Sequence, residues 1–398
     1  MGCAPRSIFD SSDCAGVEGK VLRSLRTNGG VCFAAHYEGK GRIIIEKKLS
    51  SAVQVGFGRE NWERAVDFIV EAEKLGVDYA WSAEAWGSDG ISPLAYVAAR
   101  TSKIKLGTGI LQAGTRTPAL IGMTCATMNA LTGGRFILGL GTSGPQVIEG
   151  WHGIPFRRPV QRMRETVDIA RLVQSGEKVS YDGKVYTLPI PGGEGKPIRS
   201  MMGASEPVPV YLATLSPKSL ELTGEIADGW LGTSFMPEHA DVFFDHIRAG
   251  AQRAGRSLDD VDLQAGGVVA FSDDVGKLYA PRKPGLAFTL GAMGSKQHNF
   301  YNMAFQRAGY EEIARKAQQR WLDGDREGAS SLIPDEMVVQ TNLLGTDDMV
   351  KDRIRAYRKA GVTTIRIDPE GEGMAGRLET LGRYMRLLEQ VNAEVGVG

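Results

Sequence analysis

Cysteine is scarce in this chain of 398 residues: Cys3, Cys14, Cys32 and Cys125 are all there are, and no two form a C-x-x-C pair. A disulfide framework is therefore not expected, and reduced cytosolic thiols are the plain reading. An excess of charge of one sign is also missing. Basic and acidic residues number 47 each, so no net positive field favours nucleic acid or an anionic membrane. No apolar run reaches the roughly 18 residues that a bilayer span needs, so no stable membrane association is expected. The opening M-G-C-A-P-R-S-I-F-D has no basic segment followed by an apolar core, which argues against export and for a cytoplasmic location. Histidine occurs five times with no H-x-x-x-H or Cys/His grouping, so no metal site is expected. G-x-S-x-G, the P-loop and carboxylates paired at catalytic spacing are absent.

What the chain does have is glycine, 51 residues of it, concentrated where strand-like runs end. Eight short apolar runs read as strands: 52–57, 77–82, 104–110, 136–141, 210–213, 229–232, 263–271 and 362–367. Each is followed by a stretch with helical spacing, as in Trp62, Ala65, Val66, Ile69 and Val70, with Gly76 placed to stop it. Pro93, Pro118 and Pro217 open further helices. This alternation predicts an α/β fold, a closed (β/α)8 barrel with insertions, over a doubly wound open sheet. An open sheet gathers its glycines after the first strand, and V-G-F-G-R-E-N-W is a poor dinucleotide fingerprint. Residues 1–50 match the rest badly and are expected to be a poorly ordered or loosely packed extension, leaving 51–398 as one barrel. The rhythm breaks at about 176–207, with a small hairpin in Y-D-G-K-V-Y-T-L-P, and again at 281–304, which reads as an irregular insertion.

Barrel chemistry sits at the C-terminal strand ends, and those ends supply the candidates. Glu84 lies between tryptophans in W-S-A-E-A-W. It is either an acid/base or a carboxylate satisfying loop amides. Gly107, Gly109 and Ile110 end the third strand in a form that suits a bulge with backbone against a ligand. Gly141, Thr142, Ser143 and Gly144 follow the fourth, in a turn whose amides serve the fold or a ligand equally well. Ala213, Thr214, Leu215 and Ser216 follow the fifth, where Ser216 is a helix cap or part of a phosphate site. His152, in E-G-W-H-G, is a second candidate proton donor.

Four ordered blocks carry a family likeness: W-S-A-E-A-W-G-S-D-G-I-S-P-L-A, L-G-T-G-I-L-Q-A-G-T-R-T-P, G-G-R-F-I-L-G-L-G-T-S-G-P-Q-V-I-E-G-W-H-G and V-Y-L-A-T-L-S-P-K-S-L-E-L-T-G-E-I-A-D-G-W. Over about 52–395 the chain resembles the luciferase-like flavin and deazaflavin oxidoreductases, most closely the actinobacterial branch that uses coenzyme F420. The resemblance implies a deazaflavin at the barrel mouth, a cis peptide at Gly109–Ile110 and a ring bordered by Gly141–Gly144. It also implies a phosphate tail at Thr214–Ser216, a substrate entrance shaped by 281–304, a small-molecule substrate and a homodimer. The expected activity is hydride transfer between F420 and a small organic substrate. An FMN-dependent monooxygenase served by a flavin reductase is the alternative, and a non-catalytic cofactor binder is a third reading. One departure stands out. Some relatives place an acidic residue or an Asp-His pair at the end of the first strand, where this chain has Gly56, Phe57 and Gly58. That leaves Glu84 or His152 as the acid.

Overall fold

The eight runs become eight parallel strands that close on themselves. The computed structural model describes residues 34–38, 42–56, 62–294 and 299–395. Expectations that rest on Cys3, Cys14, Cys32, Phe57, Gly58 or His298 lie outside the described residues. The described chain divides into two units. In the first, Ala34–Glu38 and Arg42–Glu46 pair as an antiparallel hairpin. The second, Leu49–Val391, is the barrel.

Its strands are β1 (Ser50–Gln54), β2 (Tyr79–Ser82), β3 (Lys105–Thr108), β4 (Phe136–Gly141), β5 (Val210–Ala213), β6 (Gly229–Leu231), β7 (Asp262–Phe271) and β8 (Thr364–Pro369). Neighbours in sequence are neighbours in the sheet, β8 pairs with β1, and β4 pairs with β5 to complete the ring. β3 stops at the cis peptide Gly109–Ile110 and resumes as Leu111–Gln112, which pairs with the end of β4.

Alternation decides the two faces. Val53, Leu106, Leu138, Leu212, Ile365 and their neighbours point outward into the main core beneath the helices. Ala52, Tyr79, Trp81, Ile137, Tyr211 and Leu231 point inward and fill the barrel. The helices form for local reasons. Trp62–Lys74 buries Val66, Phe68, Ile69 and Ala72 on one face, and Gly76 at φ +86° turns the chain away. Pro118–Thr132 starts after Thr117, whose side chain accepts from the Leu120 amide at 3.3 Å.

Two differences from the sequence reading matter. The 281–304 segment is largely helical, with helices at Lys283–Ala292 and Phe300–Phe305. Its glycines and the short helices hid the period. Leu343–Gly345, unrecognised in the sequence, extends the sheet along the far end of β7. Three residues are too few to display a period of two.

Candidate active site

The strands begin at a floor that is saturated with hydrogen bonds. Asp262, first in β7, accepts from Tyr211 Oη and Gln264 Nε2, both at 2.8 Å, and from Thr364 Oγ1 at 3.0 Å. Lys105 Nζ lies 3.4 Å from Tyr79 Oη. Burial first, then the Asp262 charge, holds the phenols of Tyr79 and Tyr211 well above their ordinary pKa. Trp81, fully buried, stacks on Tyr79 with ring centroids 6.1 Å apart and seals the interior.

At the other end, the C-terminal ends of the strands, lies a cleft of about 480 Å³. Ile110, Gly141, Thr142, Ser143 and Gly144 form one wall, and Ala213, Thr214, Leu215 and Ser216 continue it. Phe288, Met293, Phe300 and Tyr301, from the helical 281–304 segment, form another part of the lining. Twelve of the thirteen candidate positions belong to the second, third, fourth and fifth strand ends, and the barrel gathers ten of them here. Gly107 and Gly109 are exceptions. Neither lines the cleft. A Cβ at Gly107 would stand 2.2 Å from Trp81 Cζ3, and one at Gly109 would stand 3.1 Å from Trp81 Cβ. These glycines make room for an indole inside the barrel. His152 is a second exception. It is exposed, off the cleft wall, in the turn after Pro145–Ile148, with its amide on the Val147 carbonyl.

Glu84 lines the cleft with its side chain 10% exposed. Its Oε2 accepts from an Arg116 guanidinium N at 2.8 Å and from the Gly90 amide at 3.1 Å. Its own amide donates to the Ile110 carbonyl at 3.0 Å, tying this loop to the break in β3. Both sequence readings of Glu84 thus have a structural counterpart, a cleft carboxylate and a satisfied loop amide. Beside it Trp86, 58% exposed, stands at the rim.

Thr214 turns its hydroxyl away from the cleft toward the helix that follows β5, to Thr223 Oγ1 at 2.7 Å. Ser216 precedes the helix Pro217–Ile226, and its Oγ lies 2.8 Å from Ser219 Oγ. Ser143 has φ +55°, uncommon outside glycine, where the chain turns into Pro145–Ile148.

Sequence reasoning missed three residues. Gln112 is buried in the wall. Its Nε2 reaches the carbonyls of Glu84 and Ala85 at 3.3 Å, and its Oε1 has no partner. Arg116, in G-T-R-T-P near the third strand end, is the partner of Glu84. Arg307 donates to the Leu215 carbonyl at 2.7 Å across 92 positions of sequence, a separation no local pattern reveals. Burial pulls the Arg307 guanidinium below its ordinary pKa.

Comparison with known proteins meets this geometry. Residues 45–364 match the luciferase-like monooxygenase family. A Mycobacterium tuberculosis protein named as a coenzyme F420-dependent oxidoreductase is 36% identical over 330 residues, 80% of this chain and 94% of that protein. The 5,10-methylenetetrahydromethanopterin reductase of Archaeoglobus fulgidus is 31% identical over 304 residues, 75% of this chain and 87% of the reductase. Among solved structures, the coenzyme F420-dependent tetrahydromethanopterin reductase of Methanopyrus kandleri superposes with a TM-score of 0.69 at 27% identity, over 84% of this chain and 97% of that one. The closed barrel and a match across most of its length place the chain in one group: it belongs to the luciferase-like monooxygenase family.

Proposed function

We propose that this chain is a coenzyme F420-dependent oxidoreductase that moves a hydride between the deazaflavin and a small organic substrate. The names of the Mycobacterium tuberculosis relative and of the Methanopyrus kandleri structure support the cofactor. The observation on this chain that carries the reading is Gln112 Oε1, a buried acceptor without a donor in the cleft wall. Leaving such an oxygen unpaired costs about 1–3 kcal/mol, so the wall suits a flat ligand with a ring N–H. Ile110 and Gly141–Gly144 give that ring a wall of backbone and small side chains. The Ser216 and Ser219 hydroxyls at a helix start, with the Arg307 guanidinium on the same loop, suit a phosphate tail. These residues fit the group. When bound, F420 supplies a two-electron carrier that takes or gives a hydride.

The remaining work falls to the chain's own residues. Ile110 and Gly141–Gly144 orient the ring. Phe288, Phe300 and Tyr301 narrow access for water. We assign the proton that accompanies hydride transfer to Glu84, with Arg116 holding its carboxylate in place, because Glu84 lines the cleft and His152 does not. The reading includes a cytoplasmic homodimer. The apolar side chains of Leu120, Met123 and Leu131, 43%, 53% and 63% exposed on one helix, support pairing, and sedimentation checks it.

Fluorescence titration with F420 and separately with FMN tests the proposal. Saturable F420 binding with little affinity for FMN supports it. Preference for FMN, with oxygen consumption in the presence of a reductase, overturns it.

A further inference from the structure

Strand β8 turns a cation into the barrel. Ile365 and Ile367 point outward to the helices, so Arg366 between them points inward. The register agrees, because Arg366 lies opposite Ala52, which belongs to the interior cluster around Trp81. On the other side it faces Gly266 of β7, so neither cross-strand neighbour brings it a polar side chain. Among the described residues no carboxylate pairs with it, and its Nε is buried without an acceptor. Asp368, two positions on, is held by Arg377 at 3.2 Å. Two other deeply set arginines, whose Nε atoms are likewise without an acceptor, do have acids: Arg282 has Glu370 and Arg353 has Glu238. Burial lowers the Arg366 pKa to about 10. Arg366 is half-buried and is not itself in the cleft lining; its charge acts on the phenol of Tyr301, which is. The strands on either side contribute two more unpaired buried oxygens, Gln54 Oε1 and Gln264 Oε1.

An unpaired interior cation is unfavourable unless a ligand brings the opposite charge. The ring order puts β8 three strands from β5 and four from β4, across the mouth from Gly141–Gly144 and Ser216. The missing anion is therefore not the cofactor's phosphate. We propose that Arg366 anchors the substrate and that the substrate carries a carboxylate. This rests on the reading of the cleft as a hydride-transfer site. A guanidinium offers two parallel N–H donors that match the two oxygens of a carboxylate. Gln54 and Gln264 add acceptors for a hydroxyl or N–H beside it.

The test is calorimetric titration of the whole protein with acetate, pyruvate and benzoate, and with inorganic phosphate, for wild type, Arg366→Gln and Arg366→Lys. F420 fluorescence titrations run in parallel. At least one carboxylate should bind the wild type more tightly than phosphate does. Arg366→Gln should weaken it about tenfold or more, Arg366→Lys by less, and F420 binding should change less than about twofold. Equal carboxylate binding by wild type and Arg366→Gln, no carboxylate binding at all, or a preference for phosphate overturns the inference while leaving F420 binding to stand by itself. Absence of F420 binding with Arg366-dependent carboxylate binding intact overturns only the oxidoreductase reading. Arg366→Met should be no less stable than wild type, since it removes an unpaired charge. A fall in its Tm of more than about 3 °C would assign Arg366 a structural partner and end the proposal.

Discussion

The two ends of one barrel interior treat polar groups in opposite ways. At the floor, Asp262, Tyr211, Gln264 Nε2 and Thr364 satisfy one another, and Lys105 reaches Tyr79. Toward the mouth, Gln112 Oε1, Gln54 Oε1, Arg366 Nε and Arg307 Nε are buried without partners. Gln264 marks the boundary, with its Nε2 on Asp262 and its Oε1 unpaired, and Trp81 Nε1 at the seal is also buried without an acceptor. Buried polar groups that lack partners are destabilising, so a group of them toward the mouth suits a ligand that supplies the bonds. On the proposed reading, the floor holds this barrel together and the mouth is where it binds.

If that division is right, changes at the two ends should separate stability from binding. The largest effect is expected from Trp81→Ala, which empties the seal between floor and mouth. It should cost about 3–5 kcal/mol in denaturant unfolding. A loss below about 1 kcal/mol would break the comparison. Next is Glu84→Gln, which keeps the shape at Arg116 and removes the acid. Turnover should fall about a hundredfold or more while F420 affinity and Tm hold. Equal turnover would move the proton elsewhere. Gly107→Ala then sharpens the packing account, because its Cβ meets Trp81 Cζ3 at 2.2 Å. Stability should drop by about 1–3 kcal/mol, measured by chemical denaturation. Gln112→Leu is expected to do the reverse, leaving stability within about 1 kcal/mol and weakening F420 about tenfold by titration.

The smallest effect concerns pH. The Tyr79 and Tyr211 phenols have raised folded pKa values, so the fold favours their neutral form. Their contribution is complete below the unfolded value of about 10 and is lost as pH rises past it. Stability should therefore decline above about pH 10, and Tyr211→Phe should flatten that decline while costing about 1 kcal/mol at neutral pH. An unchanged alkaline limb would mean that the floor is not what titrates.

Much of this was readable from residues. β4, β5 and the helix Pro217–Ile226 lie where their apolar runs and prolines put them, because those signals act over a few residues. The cleft wall from Gly141 to Gly144 and from Ala213 to Ser216 was readable for a related reason, since barrel chemistry collects at strand ends. Gly107 and Gly109 stand against Trp81 and not in the cleft lining. A glycine that admits a ligand and one that admits a neighbouring indole look alike in sequence. His152 likewise lies off the cleft wall, because a strand end does not state how far the following turn carries a side chain from the mouth.

The sequence by itself determined the alternation of strand and helix, the closed-barrel class and which ends carry glycine, since each depends on local period and local sterics. Only the tertiary structure decided that Arg116 holds Glu84, that Arg307 reaches the Leu215 carbonyl, that Gln112 keeps an empty acceptor and that Arg366 faces inward without an acid. The pairings join residues 32 and 92 positions apart, and an unpaired group is defined by what fails to come near it. Both follow from ring closure, which brings strand ends together irrespective of their separation along the chain.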